Sequence, residues 1–314
     1  MVIEQNKLID INEDYIEETF PGVLDLLLAD KSSKKNIIWG TDNYSSLGEL
    51  YNEDKQILKR LIIKENCNII KPRIKKSKSE QLGRSRDMGE VFTPKWVCFE
   101  QINMADEAFF NAEIKVFSMF AKSKVVSKEL AIKYILDCRM EVACGEGPYL
   151  TSRYDAVSGA FIPRDERSGI FDRKMNLVDA YSEDDDEWIQ LSIKALQSVY
   201  GYDFQGDNVL LTRENILLSY LEAFFLRFNH YPSNEYVLNI ANIISWNIWQ
   251  MDGLKYVVPF SCHKEAPISL FDDEEEVDCP GCLSDDISKH NGIRCSIMDW
   301  QSNQQILINE MLRK

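Results

Sequence analysis

Residues 139–150 read Arg-Met-Glu-Val-Ala-Cys-Gly-Glu-Gly-Pro-Tyr-Leu, and no other stretch restricts the possible folds as much. A short apolar run stops at a Gly-x-Gly pair and then restarts as a helix candidate. Glycine has no Cβ and tolerates positive φ, so a strand ending this way lets a ligand come close to the backbone. Two later runs repeat the arrangement, YGYDF with Asp203 and NIWQMDGL ending at Asp252. Helical patterns separate the three runs, which predicts an α/β domain with a parallel sheet and helical crossovers. Ligands of such sheets gather at the carboxyl ends of strands, where Gly145, Asp203 and Asp252 fall.

The flanking signals support this order of elements. Thr93 followed by Pro94 has the chemistry of an N-cap and a first helical residue, and predicts a helix to about Phe110. Ser127 is a second cap candidate, for a helix through Ile135, and Ser233 a third, for a helix through Trp246. A long helix is expected from about Asp207 to Phe228. Residues 12–30 and 47–65 carry apolar side chains at helical spacing and predict a helical N-terminal region. KPRIKKSKSEQLGRSRD, residues 71–87, is basic and poor in large apolar side chains, so it reads as a solvated linker that is also able to touch phosphate.

Charge and length narrow the function classes. A net charge of −15 over 314 residues argues against a stand-alone nucleic-acid binder, whose phosphate contacts need clustered Lys and Arg. If DNA is involved, another molecule is expected to supply most of the basic face. The length suits roughly two domains of about 150 residues. No apolar stretch reaches the roughly 18 residues of a membrane-spanning helix, and the N-terminus is acidic, so a cytoplasmic protein with no membrane partner is expected. In that compartment the eight cysteines stay reduced.

Three cofactor classes use glycine turns of this kind. A Walker loop requires Gly-x-x-x-x-Gly-Lys-Ser/Thr, which the chain lacks. A dinucleotide fingerprint requires a third glycine and an acid about 20 residues later, whereas Pro148 follows Gly147 and the best strand-end acid, Asp203, lies far downstream. A nucleoside cofactor without pyrophosphate remains, such as S-adenosylmethionine. At this point the series Phe92-Thr93-Pro94, Ala143-Cys144-Gly145-Glu146-Gly147 and Gly201-Tyr202-Asp203 resembles the amino-methylating DNA methyltransferases of restriction-modification systems. That family carries an FTP segment ahead of a loop of the form Asp-Pro-Ala-Cys-Gly-x-Gly-x-Phe-Leu. Here Asp-Pro is replaced by Glu141-Val142, and the closing aromatic-Leu is Tyr149-Leu150.

The resemblance covers residues 89–260 and implies a Rossmann-like methyltransferase fold with an incomplete sheet. By it, Phe92, Thr93 and Pro94 would contact the methionine part of S-adenosylmethionine. Glu141 and the turn Ala143, Cys144, Gly145, Glu146 and Gly147 would hold its amino and carboxylate groups. Asp203 would accept the ribose hydroxyls and Asp252 the adenine amino group, although Asp252-Gly253 equally suits a plain turn. The family performs its chemistry in an Asn/Asp/Ser-Pro-Pro-aromatic motif, and none of the nine prolines here adjoins another. No catalytic residue is therefore assigned. SWNIW, with Asn247 as amine acceptor and Trp249 as stacking ring, is a weaker substitute because it precedes the third strand end. The expectation is a split adenine-N6 (alternatively cytosine-N4) methyltransferase of a restriction-modification or phage-defence system. A second subunit would supply the Pro-Pro-aromatic motif and most contacts to double-stranded DNA. The alternative is a non-catalytic regulatory or nucleic-acid-associated zinc protein of the same fold.

The last segment, residues 261–314, follows a helical region and basic linker over 1–88 and the cofactor domain over 89–260. Cys262, Cys279, Cys282 and Cys295 cluster here with His263 and His290. CPGC is a tight turn that presents two thiolates, and a tetrahedral zinc site needs two more ligands. Cys262 and Cys295 are the expected completing pair, with the two histidines as substitutes. Four protein ligands leave no position for water, which makes a structural zinc knuckle the expectation. The run FDDEEEVD reads as a solvated link between the first ligand and the knuckle.

Overall fold

The three apolar runs form a parallel sheet of strands Arg139–Val142, Val199–Asp203 and Ile248–Gln250, side by side in that order. This is the arrangement in the computed structural model, which describes residues 12–87, 93–110, 126–265 and 276–311. Glu141 lies beside Gly201, and Asp203 beside Gln250. Helices Ile170–Tyr181 and Asp185–Gln197 connect the first strand to the second, and Gly206–Phe228 and Asn234–Asn247 connect the second to the third. Two of the three expected caps, Ser127 and Ser233, fall where the sequence placed them. Ser127 Oγ accepts from Leu130 N and Ser233 Oγ from Tyr236 N, each satisfying an otherwise orphaned amide in a first turn.

One apolar core runs from Ile16, Leu24 and Trp39 in the N-terminal part to Leu177, Leu217 and Ile248 around the sheet. Helix Gly206–Phe228 is buried on nearly all sides, as befits a helix at the centre of such a core. The N-terminal segment also covers the edge of the third strand. Gln250 Nε2 donates to the carbonyls of Ile38 and Phe204, and its Oε1 accepts from Ile38 N. On the other face of the sheet a second cluster joins Tyr200, Trp249 and Met251 to Val258, Cys295, Ile297 and Ile308 of the C-terminal part. The fold class is thus mixed α/β with a parallel three-stranded sheet. No helix among the described residues is long and apolar enough to cross a membrane.

Two expectations require correction. Residues 47–65 do not form a helix, but short 3-10 turns at Ser45–Leu47, Glu49–Tyr51, Lys59–Leu61 and Lys64–Asn66. Gly48, at φ 129°, interrupts the pattern, and the chain wraps around Trp39, whose ring sits 4.6 Å from Tyr44 and 5.3 Å from Tyr51. Tertiary packing therefore overrides the helical spacing.

Nor is the basic stretch 71–87 a solvated linker. It makes a 3-10 turn at Arg73–Lys75 and a helix at Lys78–Asp87, and it inserts two cations into the protein. Asp207, fully buried, accepts from Arg84 at 2.7 Å, Lys76 at 3.0 Å and Tyr44 Oη at 2.7 Å. Burial by itself would raise the Asp207 pKa, but the Arg84 and Lys76 charges outweigh it and hold the carboxyl well below its usual range. A depressed carboxylate stabilises the fold fully above the unfolded pKa of about 3.9, and this contribution is lost as pH falls below it. Asp207→Ala, which leaves two buried cations uncompensated, should lower stability by about 3–5 kcal/mol in urea denaturation at neutral pH. A loss below about 1 kcal/mol, the range of exposed pairs, would contradict the buried assignment.

Candidate functional site

The Gly-x-Gly turn hooks the end of the first strand over the second. Cys144 N donates to Tyr202 O at 2.8 Å, and Thr212 Oγ1 donates to Gly145 O at 2.7 Å. Ala143, Gly145 and Gly147 all have positive φ, at 51°, 54° and 75°. The two glycines serve different ends. A Cβ on Gly147 would lie 2.8 Å from Thr212 Cγ2, so Gly147 is required by packing, whereas one on Gly145 would meet nothing within 4 Å. The Gly145 backbone therefore faces open space at the rim of the sheet.

Two carboxylates converge on this rim. Asp203 Oδ2 accepts from Gly145 N at 2.9 Å, and its Oδ1 from Gln205 N at 2.9 Å and Asn208 Nδ2 at 3.4 Å. Burial pushes the Asp203 pKa up to about 6, against the lowering effect of those amides. Glu141 is raised well above the usual carboxylate range by burial, only partly offset by the amides of Tyr149 and Leu150, and Asp203 adds repulsion. Its Oε2 is buried without a hydrogen-bond partner, an unfavourable state for a carboxylate oxygen and a notable one at a rim.

The helix after the FTP segment completes the surroundings. It spans Lys95–Phe109, with Pro94 instead of Thr93 at the cap and no side-chain cap bond. The Thr93 carbonyl accepts from Cys98 Sγ at 3.8 Å. Cys98 is raised to about 12, mainly by burial and next by the Glu141 charge, while Tyr149 interacts with both Thr93 and Cys98. Thr93, Glu141, Gly145 and Asp203 are therefore gathered at the carboxyl ends of the strands. Cys98, which the sequence did not single out, and Tyr149, the closing aromatic of the loop, join them. Phe92 lies outside the described residues.

The remaining predicted positions have structural duties. Glu146 points inward, where Oε1 accepts from Arg73 N at 2.5 Å and Oε2 from Tyr154 Oη at 2.6 Å, so its carboxylate ties the basic stretch to the turn instead of lining the rim. Cys144 is buried and packs beneath the turn, its Sγ 3.9 Å from Thr212 Oγ1. The third strand stops at Gln250, and Asp252 Oδ1 accepts from Leu254 N at 3.0 Å and Lys255 N at 3.2 Å. Its carboxylate closes a turn of its own, which is the plainer of the two readings of Asp252-Gly253.

A second constellation lies in the C-terminal part. Cys262, Cys279, Cys282 and His290 bring one ligand atom each to within 4.8 Å of one another, a Cys3His group that can hold a metal ion such as zinc. His290 Nδ1 is 3.7 Å from each of the three sulfurs. Metal–sulfur and metal–nitrogen bonds of about 2.3 and 2.0–2.1 Å in a tetrahedron predict an N···S edge of roughly 3.6 Å. Gly281 makes this possible, since a Cβ there would lie 2.4 Å from His290 N and 2.6 Å from its ring. Asn291 N donates to Cys279 Sγ at 3.3 Å, an orienting contact for a ligating sulfur.

The fourth ligand corrects the sequence expectation. Cys295 is buried in the second apolar cluster, with its Sγ 3.5 Å from Gln250 O, and His290 takes the place assigned to it. Chain spacing alone did not separate the two. The acidic run between Cys262 and Cys279 lies mostly outside the described residues. No protein-family model, curated protein or solved structure matches this chain.

Two outcomes follow. Because the folded-state pKa of Asp203 is raised, the folded protein holds a proton that the unfolded chain releases between about pH 4 and 6. The Asp203 contribution to stability should therefore fall as pH rises through that window and level off above it, and Asp203→Asn should flatten that part of the urea-midpoint profile. Separately, cobalt(II) should bind once per chain, with thiolate charge-transfer absorption and tetrahedral visible bands. Cys282→Ser and His290→Ala should lose these bands, and Cys295→Ser should keep them.

Proposed function

We propose that this chain is the S-adenosylmethionine-binding subunit of a split, amino-methylating DNA methyltransferase with a Rossmann-like fold. The observation that carries the reading is the unpartnered, buried Glu141 Oε2, set among Thr93, Gly145 and Asp203 at the carboxyl ends of parallel strands. A buried carboxylate with a vacant acceptor asks for a cationic donor, and the cofactor's ammonium group is one. Asp203 keeps acceptor capacity for ribose hydroxyls beyond the amides it already serves. The cofactor supplies an electrophilic methyl group on a sulfonium; the residues of this chain bind and orient it.

The amine acceptor would come from a partner chain. Asn247, the one substitute offered by the sequence, is fully engaged: its Nδ2 donates to Leu196 O and Val199 O, and its Oδ1 accepts from Trp300 Nε1. Trp249 is buried beside Met251 in the second cluster. The sheet also has room for another strand. Among the described residues the first strand pairs on one side only. On it, Met140 and Val142 are 39% and 59% exposed, although parallel strands are usually buried on both faces. A cleft of about 500 Å³ follows this edge, lined by Phe109, Arg139, Met140 and Tyr149 among others. A partner strand bearing the Pro-Pro-aromatic motif would be placed there, in an adenine-N6 methyltransferase of a restriction-modification or phage-defence system. The Cys3His group would hold structural zinc and tie the segments around Cys262, Cys279, Cys282 and His290 together.

Isothermal calorimetry with S-adenosylmethionine tests the cofactor reading. The parent chain should bind one equivalent, and Glu141→Gln and Asp203→Ala should each weaken binding by about tenfold or more, the loss of a charge-assisted hydrogen bond of roughly 1.5–3 kcal/mol. Equal affinity in both variants would remove the cofactor from this rim.

A further inference from the structure

The basic stretch 71–86 stands out on a chain of net charge −15, because side-chain contacts tie it to the body of the fold. Lys76 and Arg84 anchor it on Asp207, and Arg73 N and Glu146 Oε1 join it to the glycine turn. Arg73 reaches across the stretch to donate to Ser85 Oγ at 2.7 Å, and Gln81 Nε2 donates to Lys76 O at 2.9 Å. Ser77 and Glu80 cap the helix reciprocally, with Ser77 N on Glu80 Oε2 at 2.6 Å and Glu80 N on Ser77 Oγ at 3.3 Å. Ile74 packs over Gly159, where a Cβ would come within 2.9 Å of it.

These contacts use the buried cations for anchoring. Lys75, Lys78 and Arg86 are exposed and Lys71 is half-exposed. The acid in their midst, Glu80, caps the helix and is held below its usual range first by Ser77 and then by the Lys71 and Lys76 charges. Concentrating cations on one fixed strap of an acidic protein is unfavourable to neither solubility nor folding, but neither requires it. A polyanion rewards it, because each neutralised phosphate releases condensed counterions.

We propose that this strap is a contact surface for the phosphate backbone of duplex DNA, seated beside the cofactor rim through the Arg73–Glu146 bond. The choice of DNA rests on the methyltransferase reading; the existence of an anion-binding strap does not. Lys71, Lys75 and Lys78 would contact phosphates without reading bases, so the contact positions the duplex and leaves sequence recognition to the partner.

Fluorescence anisotropy with a labelled duplex and the full chain tests this across a salt series. Lys71→Glu/Lys75→Glu/Lys78→Glu should weaken binding by about tenfold or more at low salt and make the log–log salt slope shallower by about 0.9 for each phosphate that is no longer neutralised. Lys35→Glu/Lys133→Glu/Lys194→Glu changes the net charge equally at exposed sites away from the strap, and should stay within about twofold of the parent beyond the general field effect. Equal weakening by both triple variants, absence of duplex binding by the parent, or equal displacement of the duplex by polyglutamate would each overturn the proposal. Calorimetry with S-adenosylmethionine on the same strap variant keeps the two readings apart. Retained cofactor binding with abolished DNA binding supports the strap. Failure of the parent to bind the cofactor, with the strap effect intact, defeats the methyltransferase reading alone.

Discussion

The stretch from Asp203 to Asn208 is where the strands, the rim and the N-terminal part are joined. Asp203 ends the second strand and fixes the Gly145 amide, and Asp207, in the first turn of the central helix, receives Arg84, Lys76 and Tyr44. Burying a carboxylate and two cations costs several kcal/mol per ion before their attraction is counted. The arrangement persists because Asp207 is saturated with donors: Arg84 donates at 2.7 and 3.2 Å and Asn208 N at 2.9 Å. What this charge centre provides above all is placement. It holds the basic stretch over the glycine turn, and with it the Arg73–Glu146 contact that braces the rim.

The rim itself is electrostatically unfinished. Asp203 and Glu141 both have raised pKa values through burial, and the Asp203 charge further disfavours ionisation of Glu141. Perturbed acids of this kind cluster at functional sites. A cationic ligand that also donates to Asp203 would relieve both. The opposite face of the sheet is closed by the C-terminal part, whose Cys295 and Ile297 pack on Trp249 while its Cys3His group sits further out. The module is thereby anchored to the sheet by apolar contact.

The elements that could be read from sequence were those governed by local rules. Ser127 and Ser233 cap helices because a hydroxyl beside the first orphaned amides is a local interaction, and the three strands announce themselves as apolar runs before turn residues. What remained hidden depended on partners distant in the chain. Glu146 looked like a rim residue until Arg73 and Tyr154 claimed it from inside. Leu47 and Leu50 matched a helical face, yet both are exposed because the chain coils around Trp39. Arg84 and Lys76 could not be recognised as buried without Asp207, which lies more than a hundred residues later. Cys295 was the expected fourth ligand and His290 a substitute, but the Gly281 turn brings the imidazole within reach of three sulfurs and the sheet takes the Cys295 side chain.

The central claim is that the cofactor is held here and the amine acceptor is held elsewhere. The most direct measurement is transfer of a labelled methyl group from S-adenosylmethionine to duplex DNA. It compares this chain alone with this chain mixed with a co-purifying polypeptide that carries a Pro-Pro-aromatic motif. The account predicts no transfer by this chain alone and transfer by the mixture, abolished by Glu141→Gln or Asp203→Ala in this chain. Methylation of DNA by the purified chain alone would contradict it.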